Sequence, residues 1–288
     1  MADKLNIRWA FNAKTWQPSR EQILAASSFI QQEEKERIAK FYFQDDARSS
    51  LIGRLMIRKF SHMVTLIPYA DLRFDRDDRG KPFLLGVENS LSFNVSHQGD
   101  YVVLAGNTET NIGVDTMKIE PPANKDVKEF FRLMTRQFSS QEWNTIKNFK
   151  TEMEQMACFY RIWCLKESYV KNVGIGITIP LQEISFTVET LDLNVGEAVT
   201  DTVLYVKDEE RRDWLFEETL LDDKHMAAVA FQGNRNDFTV VPFSFLSFEE
   251  LVREASFVTI HLLFSLFCKQ LLKKINRVKL FIFNWVMK

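Results

Sequence analysis

Cysteine is scarce here: Cys158, Cys164 and Cys268 are the only three in 288 residues. An odd number, two of them inside one helical stretch, excludes a disulfide framework and points to a reducing compartment. Four scattered histidines add no zinc spacing. Ten glycines and seven prolines are too few for a low-complexity or disordered chain, and no repeat of fixed period is visible. Long apolar runs are missing too. The clearest, residues 257–268, is 12 long with Thr259 and His261 inside it, short of the ~17–25 that a membrane span needs. The opening "MADKLNIRWAFNAKTW" lacks the apolar run of a signal peptide, so the cytosol is the expected compartment. There is no G-x-S-x-G elbow and no Walker pattern. Acids vanish near the end: residues 255–288 carry six basic residues and none acidic, whereas residues 1–254 hold 39 acidic against 31 basic. That acidic body argues against a nucleic-acid partner.

What is present reads as an ordinary globular chain, long enough for one large domain or two modest ones. Periodicity predicts helices near 31–41 and 45–63, the second with a stripe of Leu51, Leu55, Met56 and Ile57. "DRDDRGKPFLL" reads as a charged turn. "SLSFNVSHQGDYVVLAG" reads as two short strands around Gln-Gly-Asp, and "TNIGVDTMK" as a buried strand stopping on Asp115. Helices follow near 126–134 and 139–149, then in "FYRIWCLKESYVKNVGIG", closed by glycine. Strands are expected at 182–189, 201–207, 214–219 and 225–231, with another possible at 237–243. "RLMIRK" (54–59) and "RIWCLK" (161–166) form a loose echo, as do "DYVVLA" (100–105) and "KHMAAVA" (224–230). Helix-then-strand twice suggests two similar α+β halves, with a site in the crevice between them.

Individual motifs are ambiguous. Glu167 and Lys171 share a helix face, and alone they fit an exposed ion pair worth ~0.2–0.5 kcal/mol. Asp115 fits either a turn-capping acid or a rigid ligand at a strand end. Together a strand Asp and a helical Glu would suit Mg²⁺, which takes one or two carboxylates plus substrate phosphates. Ser96 and His97 are adjacent on a strand, so they point to opposite faces and cannot form a nucleophile–base pair. His97 fits a phosphate donor or a turn residue.

Order and spacing are more specific. "GRLMIRK", "RGKP", "FNVSHQGDYVVLA", "GVD" and "WCLKESYVKNVGIG" follow one another in this chain. That series, from about Arg8 to Glu250, resembles the 4′-phosphopantetheinyl transferases of the larger, monomeric, surfactin-synthetase-activating type. The resemblance implies an α+β pseudo-dimer with lobes at 1–110 and 111–250 and coenzyme A in the cleft between them. It implies transfer of 4′-phosphopantetheine to a serine of apo acyl- or peptidyl-carrier domains, of the fatty-acid-synthase and aminoadipate-semialdehyde-dehydrogenase type. Asp115 and Glu167 would hold Mg²⁺, with Gln98 joining the shell. Glu167 would also be the base, and Lys171 would neutralise the transferring phosphate. Arg37, the turn Arg76, Asp77, Asp78, Arg79, Gly80 and Lys81, and Asn94, Val95, Ser96 and His97 would grip coenzyme A. Ser168, Tyr169 and Val170 would line its site beside Glu167 and Lys171. Lys166, Glu167 and Lys171 would then be the active face of a core helix.

One departure stands out. Many bacterial relatives carry a second acid two residues after the strand Asp, where this chain has Met117. Two alternatives compete with the transferase reading: a metal-independent acyltransferase using coenzyme A, and a carrier-binding module without activity. The 255–288 tail matches no part of the family pattern. Its apolar face of Leu263, Leu266, Phe267, Leu271, Ile275 and Val278 suits a helix lying on an anionic membrane or docking on the body; the competing reading is a poorly ordered tract without selected function.

Overall fold

Strand alternation and helical periodicity translate directly into elements in the computed structural model, which describes residues 5–87, 91–123, 126–174, 180–234 and 239–255. The chain opens with β1 (Asn6–Asn12), α1 (Arg20–Ser28), α2 (Gln32–Ala39) and α3 (Gln44–Thr65). A small hairpin, β2 (Phe74–Arg76) and β3 (Pro82–Leu84), precedes β4 (Ser92–Gln98), β5 (Tyr101–Asn107) and β6 (Ile112–Lys118). Then come α4 (Val127–Leu133), α5 (Ser140–Lys147) and α6 (Glu152–Val173). The rest is β7 (Ile184–Thr187), β8 (Val203–Val206), β9 (Glu209–Glu210), β10 (Trp214–Asp222), β11 (His225–Gln232), β12 (Ser244–Phe245) and α7 (Phe248–Val252). Residues 239–243 form no strand, and the tail from 256 onward lies outside the described residues.

Among the described residues, packing groups the chain into two units: residues 5–10 with 91–245, and residues 11–87 with 246–255. This grouping differs from a division at residue 110, because β4 and β5 pack with β6 rather than with the helices that precede them.

The first unit holds a sheet ordered β12-β1-β5-β4 and another ordered β10-β11-β6. Gly99 and Asp100 make a two-residue turn between Gln98 and Tyr101, with Gly99 at φ +62°. That left-handed conformation is what a tight hairpin requires. β4 and β6 share no backbone ladder. Side chains at alternate positions of β4 replace it: Ser92 Oγ accepts from Ile112 N–H (3.1 Å), Asn94 Oδ1 from Val114 N–H (3.0 Å) and Gln98 Oε1 from Lys118 N–H (2.5 Å). An edge strand is thereby covered without being paired.

α6 lies against β6 and β11, above a core that includes Phe159, Ile162, Leu165, Phe216 and Ala228. It starts in a capping box, Thr151 with Glu154, and ends on Gly174 at φ +68°. A Cβ on Gly113 would collide with the carbonyl oxygen of Ser168 and come within 2.5 Å of Asn172 N. Glycine at 113 therefore sets how closely the helix approaches the strand. Asn172 locks the contact by donating to the carbonyls of Asn111 (2.8 Å) and Ala230 (2.7 Å).

Charges are buried in pairs in this unit. Glu217 and Glu218 are neighbours on β10 and so face opposite sides: Glu217 accepts from Arg8 (2.6 Å) and Glu218 from Arg161 (2.7 and 3.0 Å). In the second unit, α3 carries the stripe of Leu51, Leu55, Met56 and Ile57, all buried. Trp16 stacks on Phe248 of α7 at 4.9 Å, and Lys59 pairs with Glu254. Among the described residues, no helix is long and apolar enough to cross a membrane.

Candidate active site

The contact between α6 and β6 brings four of the expected residues together. Asp115 lies in the middle of β6 rather than at its end, since the strand runs on to Lys118. Pairing of β6 with β11 continues the strand past the acid, with Ala228 opposite Asp115 and His225 opposite Lys118. The Asp115 carboxylate is 5% exposed. Its Oδ1 accepts from Ser96 Oγ (2.7 Å) and from Lys171 Nζ (2.7 Å). Its Oδ2 is buried with no hydrogen-bond partner. Buried polar atoms are nearly always satisfied, so this oxygen marks the place where a ligand would bond.

Lys171 donates to Ser96 Oγ (2.8 Å), Asp115 Oδ1 (2.7 Å) and the Val114 carbonyl (3.2 Å). That engages all three of its N–H groups. Ser96 therefore bridges the acid and the lysine, and it does so at the one alternate position of β4 that breaks the side-chain ladder to β6. Glu167, one helical turn before Lys171, is half-buried and forms no hydrogen bond or salt bridge among the described residues. Burial pushes its carboxyl above the ordinary glutamate value, and the Asp115 charge pushes the same way, while Lys171 opposes both. Cys164, fully buried close by, is held as a neutral thiol by its burial.

Other expected residues turn elsewhere. Lys166 faces inward: its ammonium is fully buried, 2.9 Å from Glu142, and donates to the carbonyls of Leu181 and Ile184. The active face of the helix is therefore Glu167 and Lys171 without Lys166. Gln98 spends its Oε1 on Lys118 N–H. Asn94 spends its Oδ1 on Val114 N–H. Ser168 Oγ bonds its own helix at the Leu165 carbonyl (2.8 Å), and Tyr169 packs edge-on to Trp214 at 4.6 Å. Val170 belongs to the core and His97 is exposed. Met117, where many bacterial relatives carry an acid, packs against the apolar core. Among the described residues, no group of three or more His, Cys, Asp and Glu could hold a metal ion. The carboxylates that could meet a cation here are those of Asp115 and Glu167.

The second unit gathers the basic residues expected to grip phosphates. Asp77 Oδ1 accepts from the N–H of Arg79 (3.0 Å) and of Lys81 (2.8 Å), and Gly80 takes φ +81°. Arg76 donates to the Gly80 carbonyl (2.6 Å), closing the turn. Arg37 and Arg76 both reach Glu34. Lys81 is pulled below the ordinary lysine value by burial, against the Asp77 charge.

Sequence reasoning missed the bridging role of Ser96 and the inward turn of Lys166. Ser96 sits beside His97 in an alternating strand, so its direction was legible, but its two partners lie 19 and 75 residues away.

Comparison with known proteins places the chain in a family. Residues 14–109 match the family model described as 4′-phosphopantetheinyl transferase, N-terminal, and residues 111–230 match that of the 4′-phosphopantetheinyl transferase superfamily. The mouse L-aminoadipate-semialdehyde dehydrogenase-phosphopantetheinyl transferase is 41% identical over 265 residues, covering 86% of each chain. Its human counterpart is 40% identical over the same length and shares. The Bacillus subtilis 4′-phosphopantetheinyl transferase Sfp is 32% identical over 158 residues, 55% of this chain and 66% of its own. With two successive family models meeting around residue 110 and identity sustained across most of both animal relatives, this chain belongs to the 4′-phosphopantetheinyl transferase family.

Proposed function

We propose that this protein transfers the 4′-phosphopantetheine group of coenzyme A to a serine of apo acyl- or peptidyl-carrier domains, releasing adenosine 3′,5′-bisphosphate. The observation that carries the reading is the Asp115 carboxylate, buried with one oxygen fixed by Ser96 and Lys171 and the other unpartnered. Glu167 stands near it as a second carboxylate, its pKa raised by burial first and by the Asp115 charge second. Like charges so placed favour a cation between them, and hard oxygens with room for phosphate suit Mg²⁺. Asp115, through Oδ2, and Glu167 would hold it, and Gln98, whose Oε1 keeps a second lone pair beside its bond from Lys118 N–H, would join the shell. Mg²⁺, when bound, draws charge off the pyrophosphate of coenzyme A.

The chain's own residues then have distinct tasks. Glu167 takes the proton of the carrier serine, directly or through a water, a role typically worth ~10²–10⁴-fold. The serine Oγ–P bond forms as the bond from phosphorus to adenosine 3′,5′-bisphosphate breaks. Lys171 stabilises charge on the transferring phosphate, and it is free to exchange its 3.2 Å bond to Val114 for a phosphate oxygen. Arg37, the Arg76–Lys81 turn and His97 hold the phosphates and adenine end, an interaction that changes little during reaction.

The enzyme acts as a cytosolic monomer of two similar lobes on carriers of the fatty-acid-synthase and aminoadipate-semialdehyde-dehydrogenase type. The lobe reading is supported by α3 and α6, each 22 residues long and closed by a left-handed residue, Leu66 and Gly174, with an antiparallel hairpin later in each half. The test mixes protein, coenzyme A, Mg²⁺ and an apo carrier, and weighs the carrier. A phosphopantetheine mass increase that requires Mg²⁺ and is lost in Glu167→Gln is expected. No increase on several carriers, or turnover without Mg²⁺, overturns the proposal.

A further inference from the structure

The first arginine of "GRLMIRK", Arg54, lies largely covered beside the carboxylate that Arg76 of the 76–81 turn also reaches. Arg54, on α3, has a side chain only 12% exposed, and its Nε lies 3.8 Å from Glu34 Oε2. Glu34, on α2, is itself buried. Two further guanidiniums reach the same carboxylate. Arg76 donates to both oxygens at 2.9 and 3.2 Å, and Arg37 Nε lies 3.6 Å away. Three arginines thus share one acid, with Glu33, Asp75 and Arg73 on the same cavity wall. Gln31, Gln32, Glu34, Arg37, Phe74 and Arg76 help line a cavity of about 640 Å³.

Packing three guanidiniums together is unfavourable unless a carboxylate holds them. Burial pulls Arg54 down to about 10, with Glu34 opposing that fall and the neighbouring Arg76 and Arg37 adding to it. Glu34 also controls geometry beyond its own contacts. Arg76 is held at one end by Glu34 and uses its other nitrogen to close the turn at the Gly80 carbonyl. Gln31 fixes the same strand, exchanging hydrogen bonds with Phe74 N–H (3.0 Å) and the Phe74 carbonyl (2.8 Å). Ser50 on α3 accepts from Arg37 at 3.3 Å.

We propose that Glu34 is a positioning residue for coenzyme A binding, aiming Arg37 and Arg76 and holding the 76–81 turn closed, while Arg54 behind it keeps the cluster positive. This rests on the transferase reading above. An acid inside a phosphate-binding region is counter-intuitive, since it lowers the attraction for an anion. The inference is that preorganisation of the fork-shaped arginines outweighs the lost charge.

The experiment compares wild type, Glu34→Gln, Arg54→Met and the double variant. Calorimetry with adenosine 3′,5′-bisphosphate reads binding, and the carrier assay reads KM and kcat for coenzyme A. Glu34→Gln is expected to weaken both Kd and KM by about 10-fold or more with kcat within about twofold, the mark of lost uniform binding. Its preference for coenzyme A over the 3′-dephospho form should shrink. Arg54→Met should weaken binding less, and the double variant should fall short of the summed effects, because the two act as a unit. Unchanged or tighter binding in Glu34→Gln overturns the proposal, as does full additivity. If Glu34→Gln does not fold, Arg54→Met decides: binding equal to wild type overturns the proposal. Wild type that binds no adenosine 3′,5′-bisphosphate and modifies no carrier sinks the transferase reading instead.

Discussion

Ser96 ties the Asp115 carboxylate and the Lys171 ammonium to one another. Its hydroxyl donates to Asp115 Oδ1 and accepts from Lys171, so it decides which Asp115 oxygen is left for a ligand. Residues that orient a metal ligand typically carry about 10–100-fold in metal affinity or activity. Ser96→Ala is therefore expected to lower kcat by that order and to raise the Mg²⁺ concentration giving half-maximal rate, with the KM for coenzyme A little changed. An unaltered Mg²⁺ titration would show that Ser96 has no such role. Lys166 makes the opposite case. Its ion pair with Glu142 is fully buried, and removing one member strands the other. Lys166→Met should cost about 3–5 kcal/mol of stability, read as a shifted denaturant midpoint. Neither role shows at the level of single letters: "KES" offers a lysine and a glutamate side by side, and only helical phase separates the one buried on Glu142 from the one beside Asp115. That Asp115, Glu167 and Lys171 lie close together was legible in the order and spacing of their motifs, although Asp115 sits within its strand rather than at its end.

At the scale of elements, the controlling contact is α6 on β6. Gly113→Ala places a methyl against the backbone of Ser168 and Asn172, atoms that cannot step aside as a flexible side chain would. The helix must back away, at a cost typical of overpacking, about 1–3 kcal/mol, and Lys171 and Glu167 move away from Asp115 with it. The expected result is a lower melting temperature together with a loss of turnover larger than any rise in KM. The Thr151–Glu154 box at the other end of the helix has a pH signature. Hydrogen bonds from the Thr151 backbone and side chain hold the Glu154 carboxyl below its ordinary 4.5. Its contribution is thus complete above that ordinary value and is lost as pH falls through the lower folded one. The melting-temperature gap between wild type and Glu154→Ala should close on acidification, and a gap that stays constant would contradict this. The helices near 45–63 and 126–174 and the Gly99 hairpin follow from periodicity and turn chemistry. α1 and the pairing of β1 with β12 do not, because an eight-letter window cannot register a partner more than 230 residues distant.

The chain as a whole is interleaved. Among the described residues, the first compact unit takes 5–10 and then 91–245, so β1 and the β4–β5 hairpin complete an assembly whose other members follow residue 110. Expressed apart, residues 1–110 and 111–255 would each lack partners for buried strands. Neither fragment is expected to show a cooperative thermal transition alone, and mixing them should recover one; a fragment that melts cooperatively by itself would refute this. The family models meet near residue 110 all the same, which a single sequence reveals as an echo of helix and hairpin but not as a packing boundary. That boundary is blurred by the three side-chain bonds from Ser92, Asn94 and Gln98 to β6. A ladder of backbone bonds is indifferent to which amino acids carry it. Here each rung is written in a codon, so point mutation alone can loosen or tighten the joint, one rung at a time, while both strands stay in place. Amide exchange at Ile112, Val114 and Lys118 would then report the chemistry of β4 rather than the stability of β6.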